Sequence, residues 1–161
     1  MSLILIAAVD ENRVIGNKGE IPWNISEDFK RFKKLTLNHP VIMGRSTYES
    51  ILKRIGKPLD KRENIIVSRR GGFFSDYPNV HVCGSIEEAL ALGRPLFRDC
   101  YLAGGQSIYE QTISRADRLE ITEVHKKYDG DAFFPEIDKK KWKEATREDK
   151  IGFSFVSYIR Q

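Results

Sequence analysis

The chain has 161 residues, of which 40% are hydrophobic and 31% charged, and its formal net charge is +4. This length and composition predict one globular domain over residues 1–161 with a substantial core. No stretch is long and apolar enough to span a membrane, and the two cysteines, Cys83 and Cys100, supply neither a disulfide framework nor a metal-ligand cluster.

The apolar run at 2–9 has no basic leader before it and no cleavage signature after it, so it predicts a buried strand in a cytoplasmic protein rather than a signal peptide. Much of the excess positive charge lies in Lys139, Lys140, Lys141 and Lys143. Runs of this kind are usually solvated surface. Because no recognised nucleic-acid-binding motif accompanies them, nucleic-acid binding is a remote alternative.

Short apolar runs alternate with helical patterns along the chain. Strands are predicted at 3–9, 41–43, 64–67, 80–82, 101–103 and 119–124, and helices at 25–35, 47–52, 86–92 and 107–113. This alternation favours βαβ units around a mainly parallel sheet. Beyond residue 124 the segments 133–134 and 153–159 are strand-like, and we expect them to close the fold as an antiparallel hairpin.

The first predicted helix carries one carboxylate in an unexpected position. On a helical projection Ile25, Phe29, Phe32 and Leu35 form an apolar stripe, and Asp28 falls inside it. The opposite half is polar and contains Ser26, Glu27, Lys30, Arg31, Lys33 and Lys34. A carboxylate that faces an apolar interior is costly unless a cation or hydrogen-bond donors meet it there. A ligand with paired N–H groups is therefore a candidate partner.

The structural alternative for Asp28 is stabilisation of the helix N-terminus. An acid in the first turn satisfies free N–H groups and complements the helix dipole. Asn24 or Ser26 would cap this helix equally well, which makes Asp28 redundant in that role.

Three predicted strands end in residues suited to anions, and ligands of open α/β sheets lie beyond such strand ends. In chain order these residues are Gly44, Arg45, Ser46 and Thr47; Ser68, Arg69 and Arg70; and Gly104 and Gly105. Each group alone is often only a turn or a solvated loop. Together they suit a pyrophosphate between two helix starts and an extra phosphate near Arg45 and Arg69, which favours NADP over NAD. The G-x-G-x-x-G fingerprint is absent.

Several ordered blocks closely resemble dihydrofolate reductase of the bacterial, single-domain type. The blocks are IPWN at 21–24 followed by Asp28 and Phe32, PVIMGRSTYESI at 40–51, GKPL at 56–59 followed by Arg62, AGGQSIYEQ at 103–111, and GD at 130–131 followed by FP at 134–135. The similarity runs from residue 3 to about 159. The resemblance implies an α/β fold with a mostly parallel eight-stranded central sheet, an antiparallel C-terminal strand and about four flanking helices.

The resemblance also implies an activity, which is NADPH-dependent reduction of 7,8-dihydrofolate to tetrahydrofolate in one-carbon metabolism. Hydride would go to C6 of the pterin and a proton to N5. Asp28 would accept hydrogen bonds from the 2-amino group and N3 of the pterin, because two carboxylate oxygens match that donor pair. Antifolate inhibitors are expected ligands, and we expect a monomer.

The resemblance assigns further residues to the substrate. Ring walls and contacts would come from Ile6, Ala7, Phe29, Phe32, Ile51 and Leu59. Arg62 would hold the α-carboxylate of the glutamate tail through two parallel bonds, with Lys57 at the pocket mouth. Thr122 would link Asp28 to the pterin. The structural alternatives are ordinary core for the apolar residues, a loop charge for Arg62 and a common strand residue for Thr122.

The loop at 12–24 resembles the mobile lid of the family. Gly16 and Gly19 would give it backbone freedom, while Ile21 and Trp23 would exclude water beside the hydride path. Trp23 is equally suited to a structural anchor. In the family the Gly104–Gly105 peptide bond is cis. The implied cofactor contacts are Ala8, Val14, Ile15, Gly16, Asn17, Lys18, Gly19, Glu20, Gly44, Arg45, Ser46, Thr47, Ser68, Arg69, Arg70, Ala103, Gly104, Gly105, Gln106, Ser107, Ile108, Tyr109 and Gln111.

Three features depart from the family pattern. Ala103 stands where many relatives have a larger aliphatic residue, and Ser107 lacks a basic side chain that some members use near the cofactor phosphates. Residues 52–55 lengthen the connection before Gly56, so the lip over the folate tail is expected to differ. Two alternative functions remain: a reductase of this fold that acts on another heterocycle, such as a riboflavin precursor, and a noncatalytic NADPH-binding protein. Asp28 together with Arg62 favours folate.

Overall fold

Ten strands and four α-helices alternate along the parts of the chain that the computed structural model describes, which are residues 2–70, 73–94 and 99–161. In chain order they are β1 Ser2–Val9, β2 Val14–Gly16, α1 Ser26–Thr36, β3 Pro40–Gly44, α2 Arg45–Ile55, β4 Glu63–Val67, β5 Val80–Cys83, α3 Ile86–Gly93, β6 Asp99–Leu102, α4 Gln106–Thr112, β7 Arg118–Val124, β8 Ala132–Phe133, β9 Trp142–Asp149 and β10 Phe153–Arg160.

Eight of these strands form one sheet in the order β5-β4-β3-β6-β1-β7-β10-β9. The pairs from β5 to β7 are parallel, and β10 is antiparallel to both of its neighbours. The prediction of a mostly parallel eight-stranded sheet with an antiparallel C-terminal strand and about four helices is confirmed.

Alternate residues of β1 face two apolar layers, because successive side chains of a strand point to opposite faces of the sheet. Leu3 and Leu5 belong to the layer that contains apolar residues of α3 and α4. Ile4 and Ile6 belong to the other layer, where Phe32 of α1 packs. The sheet is therefore covered on both faces, and α1 brings Asp28 to the face that Ile6 occupies.

The expected hairpin between 133–134 and 153–159 is wrong. β10 pairs with β9, whereas Phe133 of β8 pairs with Val14 of β2 in a separate two-stranded sheet. β9 was missed because Trp142 is its only buried residue, so this edge strand has no apolar alternation. The lysines at 139, 140, 141 and 143 are exposed, as expected of solvated surface.

Two helix boundaries also differ from expectation. The N-cap of α1 is Ile25, so neither Asn24 nor Ser26 caps this helix. Residues 52–55, expected to lengthen a loop, form the last turn of α2. That helix ends at Gly56, which adopts φ +78° and donates its N–H to the Leu52 carbonyl over 2.8 Å.

Cys83 and Cys100 are free and buried. Among residues 2–70, 73–94 and 99–161, no cluster of three or more His, Cys, Asp or Glu side chains is placed to hold a metal ion. None of the helices in the same ranges has the length and hydropathy needed to cross a membrane.

Candidate active site

Asp28 lies in the first turn of α1, half-buried against the sheet. Its Oδ1 accepts a hydrogen bond of 2.5 Å from the Thr122 hydroxyl on β7, 94 residues further along the chain. Burial raises the pKa of Asp28 above its usual range, while the Thr122 bond and the positive charges of Arg31 and Arg54 act in the opposite direction. The carboxylate is thus fixed in an environment that opposes its ionisation.

Apolar side chains surround this acid as expected. Ile6 and Leu59 are buried in the layer beneath α1 and α2, and Phe32 and Ile51 pack against the same layer. The side chain of Ala7 packs in the opposite layer, so Ala7 offers the cleft only its backbone.

Phe29 lies at the side of the cleft nearest the end of α2. The guanidinium carbon of Arg54 lies 3.8 Å from the centroid of the Phe29 ring. Arg54 belongs to the turn formed by residues 52–55, so this additional turn supplies a cation beside the cleft.

Arg62 is 7% exposed and is not the solvated loop charge of the structural alternative. Its Nε donates to the Asp60 carbonyl over 2.8 Å, and its Nη1 donates to the Thr36 hydroxyl over 3.2 Å. These bonds fix the orientation of the guanidinium. Lys57 is exposed and pairs with Asp60, whose carboxylate lies 2.7 Å from the ammonium group.

The predicted lid at 12–24 contains β2 and a tight turn in which Asn17 and Glu20 exchange backbone hydrogen bonds of 2.8 and 3.0 Å. The Lys18 N–H contacts both carboxylate oxygens of Asp131. Trp23 is 6% exposed, and its indole N–H finds no acceptor among the described residues. Ile21 is 41% exposed. The buried indole N–H of Trp23 is a donor available to a bound molecule.

The glycines in and beside the lid differ in whether the structure requires glycine at their positions. Gly19 adopts φ +80°, as expected of a position that needs conformational freedom. Gly16 does not adopt a positive φ, so its backbone angles do not require glycine. Outside the lid but packed against it, Gly130 must be glycine, since a Cβ at that position would lie 2.3 Å from Cγ1 of buried Val14.

The three predicted anion-binding strand ends are brought together, because β4, β3 and β6 are neighbours in the sheet. The Gly44 N–H donates to the Gly104 carbonyl over 2.8 Å and joins two of these ends. The Gly104–Gly105 peptide bond is cis, as the resemblance implied. Gly104 adopts φ +115°, and a Cβ there would lie 3.4 Å from both the Thr47 and the Tyr109 hydroxyl oxygens.

Arg45, at the start of α2, is held by neighbours of its own. Its Nε donates to Glu49 over 2.8 Å, and its guanidinium carbon lies 4.6 Å from the centroid of the Phe73 ring. At the end of β4, Arg69 and Arg70 are exposed. All three cations therefore border the same edge of the sheet.

The remaining predicted cofactor residues lie around this edge and the lid. Buried among them are Val14, Ile108 and Tyr109; half-buried are Ala8, Ile15, Gly16, Asn17, Gly44, Thr47, Ser68, Ala103, Gly105 and Gln106; exposed are Lys18, Gly19, Glu20, Ser46, Ser107 and Gln111. Because Val14 is 1% exposed and Ile15 packs in the core, these two offer backbone contacts. The Tyr109 hydroxyl donates to the Ile6 carbonyl over 2.7 Å and ties α4 to β1.

Two charged residues near Asp28 were missed. Arg31 was assigned to the polar half of its helix, opposite the apolar stripe, but its Nη2 lies 2.5 Å from Oε2 of Glu120 on β7. The two side chains are only 19% and 7% exposed. The available signal was Glu120 itself, an acid within a predicted apolar strand, which required a buried cation as partner.

Comparison with known proteins agrees with this geometry. The family model described as dihydrofolate reductase matches residues 2–160. The chain is 42% identical to dihydrofolate reductase HdrB of Haloferax volcanii, covering 98% of this chain and 83% of the relative. It is also 42% identical to dihydrofolate reductase of Neisseria meningitidis serogroup A, covering 99% of each.

Among solved structures, dihydrofolate reductase from Enterococcus faecalis in complex with NADP(H) and RAB-propyl superposes with a TM-score of 0.87 at 30% identity. The match covers 99% of this chain and 96% of that one. Sequence and fold agree over essentially the whole chain, and the chain therefore belongs to the dihydrofolate reductase family.

Proposed function

We propose that the protein reduces 7,8-dihydrofolate to 5,6,7,8-tetrahydrofolate with NADPH, and that Asp28 binds the pterin while hydride is delivered to C6 and a proton to N5. Dihydrofolate reduction itself follows from membership of the family. The observation that carries the finer proposal is Asp28, a half-buried carboxylate among apolar side chains, held by Thr122.

The chemistry of the pterin suits this acid. The 2-amino group and N3 present two adjacent N–H donors, and a carboxylate has two oxygens at matching separation. Thr122 bonds Oδ1, which orients the plane of the carboxylate before substrate arrives. The apolar walls formed by Ile6, Phe32 and Ile51 exclude water from this contact and thereby strengthen it.

The substrate tail is expected at Arg62. A guanidinium held at Nε and Nη1 by Asp60 and Thr36 is pre-oriented, so its remaining N–H groups are available to an α-carboxylate at little entropic cost. Lys57 lies at the mouth near Asp60 and adds positive charge for the anionic tail. An acid for the ring and a fixed cation for the tail together favour folate over a heterocycle without a carboxylate.

The residues that follow β3, β4 and β6 form the strand-end edge of the sheet. Their backbone N–H groups and cations suit a dinucleotide. Helix α2 begins after Gly44, whose lack of a side chain leaves the first N–H groups open to a phosphate. Gly104 adopts φ +115°, which residues with a side chain rarely adopt, so backbone without a side chain is open to close approach there. The exposed cations Arg69 and Arg70 suit the additional phosphate of NADPH. When bound there, NADPH supplies the hydride.

The lid completes the site from the other side. Trp23 contributes a buried N–H without an acceptor among the described residues, a donor for the substrate or for an intervening water. The exposed side chain of Ile21 is positioned to be covered when ligands bind, which would exclude water from the reacting atoms. Asp28 then supplies orientation and charge, while the redox chemistry belongs to the cofactor.

The test is dihydrofolate-dependent oxidation of NADPH by purified protein, with Asp28→Asn beside it. The amide of this variant presents an N–H where an acceptor is needed, so we expect turnover at neutral pH to fall about 100-fold or more while NADPH affinity is retained. Glu27→Gln is the matched control, because Glu27 is an exposed acid one residue earlier on the same helix. Full turnover by Asp28→Asn, or an absence of dihydrofolate-dependent oxidation by the wild-type protein, would contradict the proposal.

A further inference from the structure

An ion pair with little exposure to water lies between α1 and the sheet, one helical turn beyond Asp28. Arg31 Nη2 is 2.5 Å from Glu120 Oε2. The guanidinium carbon also lies 4.7 Å from the centroid of the Phe155 ring on β10. Arg31 is therefore held between a carboxylate and an aromatic face and does not extend into solvent.

Glu120 is itself held by two hydrogen-bond donors and by a second nearby cation. Besides Arg31, it accepts a hydrogen bond of 2.6 Å from the Ser157 hydroxyl, and its Oε1 lies 2.8 Å from Arg118 Nε. In the register of the sheet, Glu120 is opposite Ser157. This arrangement fixes the position of the acid and, through it, the position of the Arg31 charge.

The same strand pair carries the residue that binds Asp28. Thr122 lies two residues after Glu120 on β7, on the same face of the sheet, and is opposite Phe155 on β10. Thr122 donates to Asp28 and Glu120 pairs with Arg31, so α1 is attached to one patch of the sheet by its acid and by its cation.

Stability alone is a poor explanation for this pair. Removing two charges from water is expensive, and apolar residues of similar volume usually pack as well or better. An apolar pair would not supply a permanent positive charge beside Asp28. Arg31 does, because residues three apart on a helix are neighbours.

We propose that Arg31 is a positioning residue for the pterin-binding acid: Glu120, Ser157 and Phe155 fix its guanidinium, and this fixed charge stabilises the ionised carboxylate of Asp28. The inference rests on the proposed role of Asp28 in substrate binding. It explains how an acid in an apolar cleft remains available as an anion for the donor edge of the pterin.

Several charged or titratable groups face Asp28 from the packed elements. Arg31 faces it from α1, Arg54 from α2 and Tyr109 from α4, and Thr122 bonds it from β7. Burial raises the pKa of Asp28, and both arginines lower it. Burial and the charge of Asp28 raise the pKa of Tyr109.

Two acids face Arg31. Glu120 pairs with it from β7, and Glu148 lies within its electrostatic reach on β9. Glu148 also pairs with Lys150, whose ammonium group is 2.9 Å away. Arg54 is exposed, whereas Arg31 is fixed, so Arg31 provides the charge that solvent screens less.

The experiment follows the titration of Asp28 in the free protein through the ¹³C resonance of its side-chain carboxyl group, assigned by its loss in Asp28→Asn. Arg31→Met is expected to move the titration midpoint upward by about half a pH unit, because it removes a partly buried positive charge that lies one helical turn from Asp28 without pairing with it directly. Arg31→Lys should retain most of the wild-type midpoint, because it keeps the charge.

Lys30→Met is the matched control, since it removes one positive charge from the exposed side of the same helix. Its midpoint should stay within about 0.1 pH unit of the wild-type value, because that charge is screened by solvent. A wild-type midpoint in Arg31→Met, or an equal shift in Lys30→Met, would overturn the inference.

Arg31→Met leaves Glu120 without one of its partners and so threatens folding. The variant Arg31→Gln removes the positive charge but keeps an N–H donor for Glu120, and it should show an upward shift as well; an unshifted midpoint in this folded variant would also overturn the inference. Failure of the proposed function is distinguishable. If Asp28→Asn retained full dihydrofolate turnover, Asp28 would lose its catalytic role, while the effect of Arg31 on its titration would still be measured.

Discussion

The cleft proposed for folate and the strand-end edge proposed for the dinucleotide present candidate ligand-binding groups of different kinds. In the cleft these groups are side chains that the protein has already bonded: Asp28 to Thr122, and Arg62 to Thr36 and Asp60. At the edge they are mainly backbone, with Gly44 bonded to Gly104 and exposed cations alongside. On the proposed function, one region would recognise its ligand by fixed side-chain groups, and the other by how closely its backbone can be approached.

This difference determines how each region responds to substitution. A fixed side chain loses its function when its chemistry changes, even if its size is kept. A binding surface made of backbone is little affected when neighbouring side chains change, but it cannot accept an added side chain or a different backbone angle. The three predictions below test this distinction.

The largest effect is expected at Gly104. Gly104→Ala introduces a Cβ at φ +115°, within 3.4 Å of the Thr47 and Tyr109 hydroxyl oxygens. We expect NADPH affinity to fall roughly 10- to 100-fold and the free energy of unfolding to fall by about 1–3 kcal/mol. Gly152→Ala is the control, because Gly152 also has positive φ (+85°) but a Cβ there meets no atom within 4 Å. An undiminished NADPH affinity in Gly104→Ala would show that close approach is not what this glycine provides.

An intermediate effect is expected at Arg62. Arg62→Lys keeps the charge but loses the planar fork that Asp60 and Thr36 orient, so KM for dihydrofolate should rise about 10-fold, with little change in kcat. Steady-state kinetics provide the measurement, with Lys61→Met as the control for loss of an exposed neighbouring charge. A wild-type KM in Arg62→Lys together with a raised KM in Lys61→Met would mean that only the general positive charge at the mouth matters.

The smallest effect concerns stability. Burial raises the pKa of Asp28 in the folded protein, so its favourable contribution is complete below the unfolded pKa and is lost as pH rises through the folded one. Asp28→Asn should therefore be more stable than the wild-type protein at about pH 8, by on the order of 1 kcal/mol or about 2–4 °C in Tm. The difference should shrink as pH falls below the unfolded pKa of Asp28, where both side chains are neutral.

Thermal unfolding at several pH values measures this difference. If the Tm difference between the wild-type protein and Asp28→Asn did not change with pH, the difference would not arise from ionisation of Asp28. A wild-type protein more stable than Asp28→Asn at high pH would mean that Thr122, Arg31 and Arg54 together outweigh burial.

Several parts of the site were predictable because they depend on local pattern. The apolar stripe of α1 identified Asp28, and the glycines and cations after β3, β4 and β6 identified the edge, which the neighbouring positions of those strands in the sheet then brought together. Edge strand β9 was not predictable in the same way, because seven of its eight residues are exposed and no apolar period marks it.

The sequence by itself determined which residues are candidates, since hydrophobic periodicity reports which side of an element faces the core. Only the tertiary structure decided two of their partners, which are Glu120 for Arg31 across 89 residues and Val14 rather than β10 for Phe133. The link from Thr122 to Asp28 was implied by the family resemblance and not by any local pattern. Periodicity reports that a side chain is buried but not what it contacts. The assignment of Arg31 to the half opposite the apolar stripe was wrong for this reason, because a charge becomes compatible with burial only when a partner from a distant part of the chain is placed beside it.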